Sequence, residues 1–155
     1  MYFVNRQHIE NILQYMEQIV GEQPKHSTET LADCLLLERI THVVIEAIID
    51  TGNQMIDGFI MRDPGSYEDI IDILTDEKVL PMSQMNNYKE FIRLRKSVVQ
   101  QYTTVNHQEI MTVWEKVYDI LQQFPRLIRE YLDEELGPVS AFTKDGVNKE
   151  KDEKL

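Results

Sequence analysis

Apolar residues recur at steps of three and four along most of the chain, and no alternating run competes with them. That periodicity restricts the fold to helices packed by their apolar faces. From about Asn5 to Val20, Ile9, Ile12, Leu13, Met16, Ile19 and Val20 mark a first amphipathic helix, which Gly21 and Pro24 interrupt. Lys25 to Thr30 then supplies candidate N-caps for a long second helix, about Thr30 to Ile60, with Leu37, Ile40, Val44, Ala47, Ile48, Met55 and Phe59 as its stripe. Gly52 inside that stripe costs about 1 kcal/mol of helix propensity and so points to a close helix contact.

Pro64 disfavours helix at Asp63, and Ser66 with Asp69 reads as an N-cap with an acidic first turn, opening a short third helix with Ile70, Ile71, Ile73 and Leu74. Pro81 and Ser83 open a fourth, whose seam reads Tyr88, Phe91, Arg95, Val98 and Tyr102. Asn106 with Glu109 begins the last helix, Pro125 predicts a kink within it, and Gly137-Pro138 ends it. The expected architecture is an all-α, antiparallel up-and-down bundle of about five helices over residues 1–142. The charged segment 143–155 has almost no apolar content and is expected to be a disordered tail.

Composition narrows the function classes. Lys and Arg number 16 against 27 Asp and Glu, a net charge of -11, which argues against a protein that coats nucleic acid through phosphate neutralisation. A local basic patch remains compatible with that sum. No glycine-rich phosphate loop, His-Glu-x-x-His, Gly-x-Ser-x-Gly or Asp-rich calcium loop occurs, so no cofactor or metal is expected. Cys34 has no second cysteine to pair with and reads as a small buried residue. With no apolar run long enough to span a bilayer, the expectation is a soluble cytoplasmic protein without a membrane partner.

The fourth helix carries the unusual polar residues. Lys89, Arg93, Lys96 and Gln100 align on one stripe, a candidate RNA-binding face in which Lys89, Arg93 and Lys96 supply the charge. Arg95 lies instead on the apolar seam, where a charge needs a carboxylate, a phosphate or several carbonyl partners. The second helix offers carboxylates in a polar stripe of Arg39, His42, Glu46, Asp50, Asn53 and Asp57, among which Glu46 and Asp50 are the candidate partners of Arg95. That stripe reads either as a solvated face or as the wall of a polar cleft.

The runs Leu35 to Ile40, Ile45 to Asn53, Arg62 to Tyr67 and Arg95 to Tyr102 resemble the HepT branch of the HEPN superfamily, most closely its YutE-like members, over residues 1–142. The resemblance implies a homodimeric helical bundle whose cleft carries arginine, four to six residues, histidine, any residue and tyrosine, and which in active members cleaves RNA without a metal. Arg95 and Tyr102 match at the four-residue spacing, and Gln100 stands where the family has histidine.

The implied function is the RNA endonuclease toxin of a toxin-antitoxin pair, with Arg95, Gln100 and Tyr102 as catalytic positions. A minimal nucleotidyltransferase antitoxin is the implied partner, transferring AMP to Tyr102. Glutamine has no usable pKa near neutrality, and loss of a positioned acid or base costs on the order of 10²- to 10⁴-fold in rate, so weakened catalysis is expected. His42 or His107 would restore an imidazole if either reached the cleft. The alternative is a non-catalytic homodimer that keeps the cleft for RNA, a nucleotide or a protein partner.

Overall fold

A computed structural model describes residues 2–137. Among them five α-helices form: α1 (Arg6–Glu22), α2 (Leu31–Gly58), α3 (Tyr67–Asp76), α4 (Met85–Arg95) and α5 (His107–Leu136). No strand occurs among the described residues. The segment 143–155 lies outside them, so the tail expectation does too.

Each boundary has a local cause. Asn5, Thr30, Ser66 and Asn106 accept hydrogen bonds from the backbone N–H groups of His8, Asp33, Asp69 and Glu109, satisfying donors that the first helical turn leaves free. At Thr30 the bond is reciprocal, because the Asp33 carboxylate accepts from the Thr30 N–H. Ile60, at φ 57°, turns the chain off α2 in the left-handed region. Gly137, at φ 89°, ends α5, and its N–H donates to the Asp133 carbonyl. The fourth helix begins later than Pro81 and Ser83 suggest: Met82–Gln84 form a 3₁₀ turn, and α4 starts at Met85.

The longest helices carry the core. α1 runs antiparallel to both α2 and α5, since Phe3 N–H donates to the Gly58 carbonyl and Arg6 pairs with Asp133. α2 and α5 run parallel, with Thr41 bonded to Trp114 and Phe59 edge-on to Tyr131. Ile9, Leu13 and Met16 from α1, Val44, Ile45 and Ile48 from α2, and Val117, Leu121 and Phe124 from α5 are all fully buried between them. Trp114 closes the centre, stacked edge-on against Phe91 of α4 at 5.0 Å between ring centroids. α5 continues through Pro125, which is buried beside Val20 and Gly21 of α1.

Gly52 makes the expected close contact. A Cβ there would lie 2.3 Å from Ile70 Cγ2, so α3 packs directly onto the α2 backbone. This approach brings Tyr67, at the start of α3, beside the end of α4.

After Arg95 the backbone leaves α-geometry. Lys96–Gln100 form a π-helical turn in which the Gln101 N–H reaches back to the Lys96 carbonyl at 2.9 Å. The wider turn shifts the angular position of the residues beyond it, and the seam that holds from Tyr88 through Val98 does not extend to Tyr102. Tyr102 is 68% exposed, in the turn between α4 and α5.

Candidate active site

The site is assembled from the end of α4, the π turn, the start of α3 and the middle of α2. Arg95 Nε donates to Glu46 Oε2 at 2.9 Å, and its Cζ lies 4.7 Å from the centroid of the Tyr67 ring. Carboxylate and aromatic face together fix the plane of the guanidinium. The Glu46 hydrogen bond raises the Arg95 pKa further above its ordinary value. Neither Nη group has a hydrogen-bond partner among the described residues, and the side chain is only 22% exposed. A cation held at one edge, with its fork open, is suited to a phosphate.

Of the two carboxylates considered for Arg95, Glu46 makes the contact. Asp50 makes no ion pair with it among the described residues, and its pKa is raised by burial and then by the nearby Glu46 charge. Asp50 instead lines a groove between α1 and α2, with His8, Asn11, Tyr15, Arg39 and Glu46.

The basic stripe divides. Lys89 Nζ is 2.6 Å from Asp72 Oδ1, and Arg93 makes two 2.9 Å bonds to the Glu68 carboxylate. These pairs tie α4 to α3. Lys96 is exposed and has no carboxylate partner among the described residues, and Gln100 is exposed at the end of the π turn.

Both candidate replacement histidines belong to the same side of the molecule. His107 opens α5, and its Nε2 lies 2.6 Å from Glu38 Oε2. His42 is half-buried on α2, between Glu38 and Glu46 on one helical stripe, and makes no hydrogen bond among the described residues. Tyr67 was not legible as a site residue from spacing, because its role depends on how α3 crosses α2. His8, Asn11 and Tyr15 lie on the outward face of the first helix, and only the packing of α1 on α2 brings them beside Asp50. No group of three or more His, Cys, Asp or Glu arranged to share a metal ion occurs among the described residues, and no described helix is long and apolar enough to cross a membrane.

The same fold recurs in known proteins. The chain is 48% identical over 143 residues to the Bacillus subtilis (strain 168) protein named "Putative RNase YutE", covering 92% of this chain and 99% of that protein. A solved structure described as the cytosolic protein of unknown function YutE from Bacillus subtilis superposes with a TM-score of 0.87, covering 92% of this chain and 100% of that one at 48% identity. The family model described as "Ribonuclease HepT-like" matches residues 6–128. With the family matched across α1 to α4 and most of α5, the chain belongs to the HepT-like ribonuclease family of HEPN helical bundles.

Proposed function

We propose that the protein is a HepT-type RNA endonuclease, the toxin component of a toxin-antitoxin pair, with catalysis weakened by Gln100. The observation that carries this reading is Arg95, oriented by Glu46 and Tyr67 with its Nη groups open. Cleavage of RNA by its own 2′-hydroxyl needs a group to take the hydroxyl proton and a cation for the charge that grows on the phosphate. Arg95 supplies the cation. Gln100 contributes hydrogen bonds to ribose or phosphate and no proton transfer, and Lys96 extends the positive surface along the RNA backbone. Lys89 and Arg93 contribute less than a free basic stripe would, because Asp72 and Glu68 already neutralise them.

Tyr102 is the proposed site of AMP transfer by a minimal nucleotidyltransferase antitoxin, and its 68% exposure supports access by a second protein. A homodimer completes the cleft in this reading, and the cytoplasm is its location.

A second reading, a homodimer that binds RNA, a nucleotide or a protein partner without cleaving, is favoured by Gln100 at the histidine position. Cleavage of a labelled RNA pool, with and without chelator, by the natural protein, Gln100→His and Arg95→Ala separates them. The nuclease reading expects cleavage by the natural protein, a gain on the order of 10²-fold or more with Gln100→His, and loss with Arg95→Ala. Activity appearing only after Gln100→His marks a disarmed cleft and a binding role.

A further inference from the structure

We propose that His42 is the catalytic acid-base group of this cleft, supplying the imidazole that position 100 lacks. The inference rests on the ribonuclease reading above and deepens it, and it lowers the gain expected of Gln100→His, because an imidazole already serves the cleft.

Two contacts bracket His42. Glu46 holds Arg95 at the end of α4, and Glu38 holds His107 at the start of α5. Glu38, His42 and Glu46 follow one another at four-residue steps along α2, each about 6 Å farther along the axis and rotated by only about 40°. His42 therefore lies between the two contacts in both height and direction. Its side chain leaves α2 between the end of α4, which Glu46 holds through Arg95, and the start of α5, which Glu38 holds through His107, and the π turn after Arg95 also packs on α2.

The other histidines fit less well. His26 is bonded to Glu22 beside the 3₁₀ turn after α1, and His8 lines the groove on the α1 side of Glu46. His107 has one ring nitrogen committed to Glu38 at 2.6 Å, and its anchor is two turns, about 12 Å along α2, from the anchor of Arg95. His42 is one turn from Glu46, within reach of the nucleotide whose phosphate Arg95 would hold. Both its ring nitrogens are without a partner among the described residues. The charged residues within about one turn of it on its own helix are Glu38, Arg39 and Glu46; Glu46 brings Arg95 of α4 to this face, and Glu38 brings His107 of α5.

In the proposed step, neutral His42 accepts the ribose 2′-hydroxyl proton as the 2′ oxygen bonds to phosphorus. The bond from phosphorus to the 5′ oxygen breaks, that oxygen takes a proton from water, and the imidazolium returns its proton to solvent. The products are a 2′,3′-cyclic phosphate and a 5′-hydroxyl, with no net gain or loss of atoms. Arg95 Nη groups bear the charge on the phosphoryl oxygens throughout.

The test is cleavage of a labelled RNA pool by the purified full-length protein and by His42→Ala, His42→Gln, His107→Ala, Arg95→Ala and Gln100→His, with His26→Ala as a control. The expected result is a natural activity that falls by about 10²- to 10⁴-fold in both His42 variants and loses the acid limb of its pH profile. RNA affinity and Tm should stay at the natural values. Natural cleavage abolished by Arg95→Ala but retained with its pH profile in His42→Ala overturns the role of His42 and leaves the ribonuclease reading standing. The same loss on His107→Ala, with His42→Ala active, also overturns it. Cleavage seen only in Gln100→His means that no imidazole serves the natural cleft and overturns it as well. Absence of cleavage in every variant defeats the ribonuclease reading itself.

Discussion

Arg95→Ala separates what the Arg95–Glu46 pair does for the fold from what it does for RNA. Removing one partner of a fully buried pair costs about 3 to 5 kcal/mol, because the other charge is stranded. Here the side chains are 22% and 36% exposed, so water reaches Glu46 once Arg95 is gone, and the expected loss is about 1 kcal/mol or less. The same substitution should remove on the order of 10²-fold or more of any RNA cleavage. Urea unfolding and the cleavage rate measured on one preparation check both. A stability loss above about 3 kcal/mol would show that the pair mainly holds α2 to α4. Thr41→Val is the opposite case. Thr41 is fully buried, donates to the Leu37 carbonyl at 2.7 Å and accepts the Trp114 Nε1–H at 2.9 Å. A nearly isosteric valine leaves that indole donor unpaired, for an expected loss of about 1 to 3 kcal/mol seen as a lower urea midpoint. Sequence spacing carried Arg95 this far because an arginine on an apolar seam must find a partner. It did not reveal Tyr67, whose ring meets the guanidinium only through the crossing of α3 over α2.

At the scale of elements, helix starts were legible because capping is local chemistry: Thr30, Ser66 and Asn106 each bond the backbone three residues ahead. The close contact at Gly52 was legible for a related reason, since a glycine within a long apolar stripe is offset only by a neighbour that needs the space. Gly52→Ala should therefore destabilise the fold although alanine favours helix. The added Cβ meets Ile70 Cγ2 at 2.3 Å, and Ile70 is 2% exposed with nowhere to swing. Overpacking of about 1 to 3 kcal/mol outweighs a propensity gain of about 1 kcal/mol. Ile70→Leu removes the offending methyl, so the double variant should recover part of the lost Tm; no recovery would place the strain elsewhere. The π turn was not legible, because Lys96-Ser97-Val98-Val99-Gln100 carries the same periodicity as a continuing α-helix. Its consequence is geometric, since it separates an Arg95 anchored on Glu46 from an exposed Tyr102. The pairing of Lys89 and Arg93 with α3 escaped notice as well, because it depends on tertiary neighbours and not on the spacing within α4.

Across the whole molecule, carboxylates and phenols set opposite pH flanks on stability. Arg62, and then the Gly65 N–H, hold the Asp69 carboxyl down at about 2 against an ordinary 3.8. The Arg129 hydrogen bond likewise lowers Glu10, joining α5 to α1. A depressed carboxyl binds fewer protons folded than unfolded, so its contribution is present above the ordinary carboxylate range and is lost as pH falls from about 4 towards 2. Asp50 works the other way: its raised pKa gives a contribution present at low pH and lost as pH rises through that raised value. At the alkaline end burial, followed by nearby carboxylates, pushes the Tyr131 phenol from 10 up to about 12, and burial raises Tyr88 as well. Those phenols bind their protons more tightly when folded, so their contribution holds below about 10; that of Tyr131 is lost as pH climbs through about 12, and that of Tyr88 persists beyond it. Urea midpoints measured across this range should be highest between the two flanks. Asp69→Asn should flatten the acid flank and leave the alkaline one unchanged, because its pairing with Arg62 is remote from both tyrosines in the ion-pair network. An acid flank equally steep in Asp69→Asn would assign acid unfolding to other carboxylates, with the Glu10–Arg129 tie the next to test by Glu10→Gln.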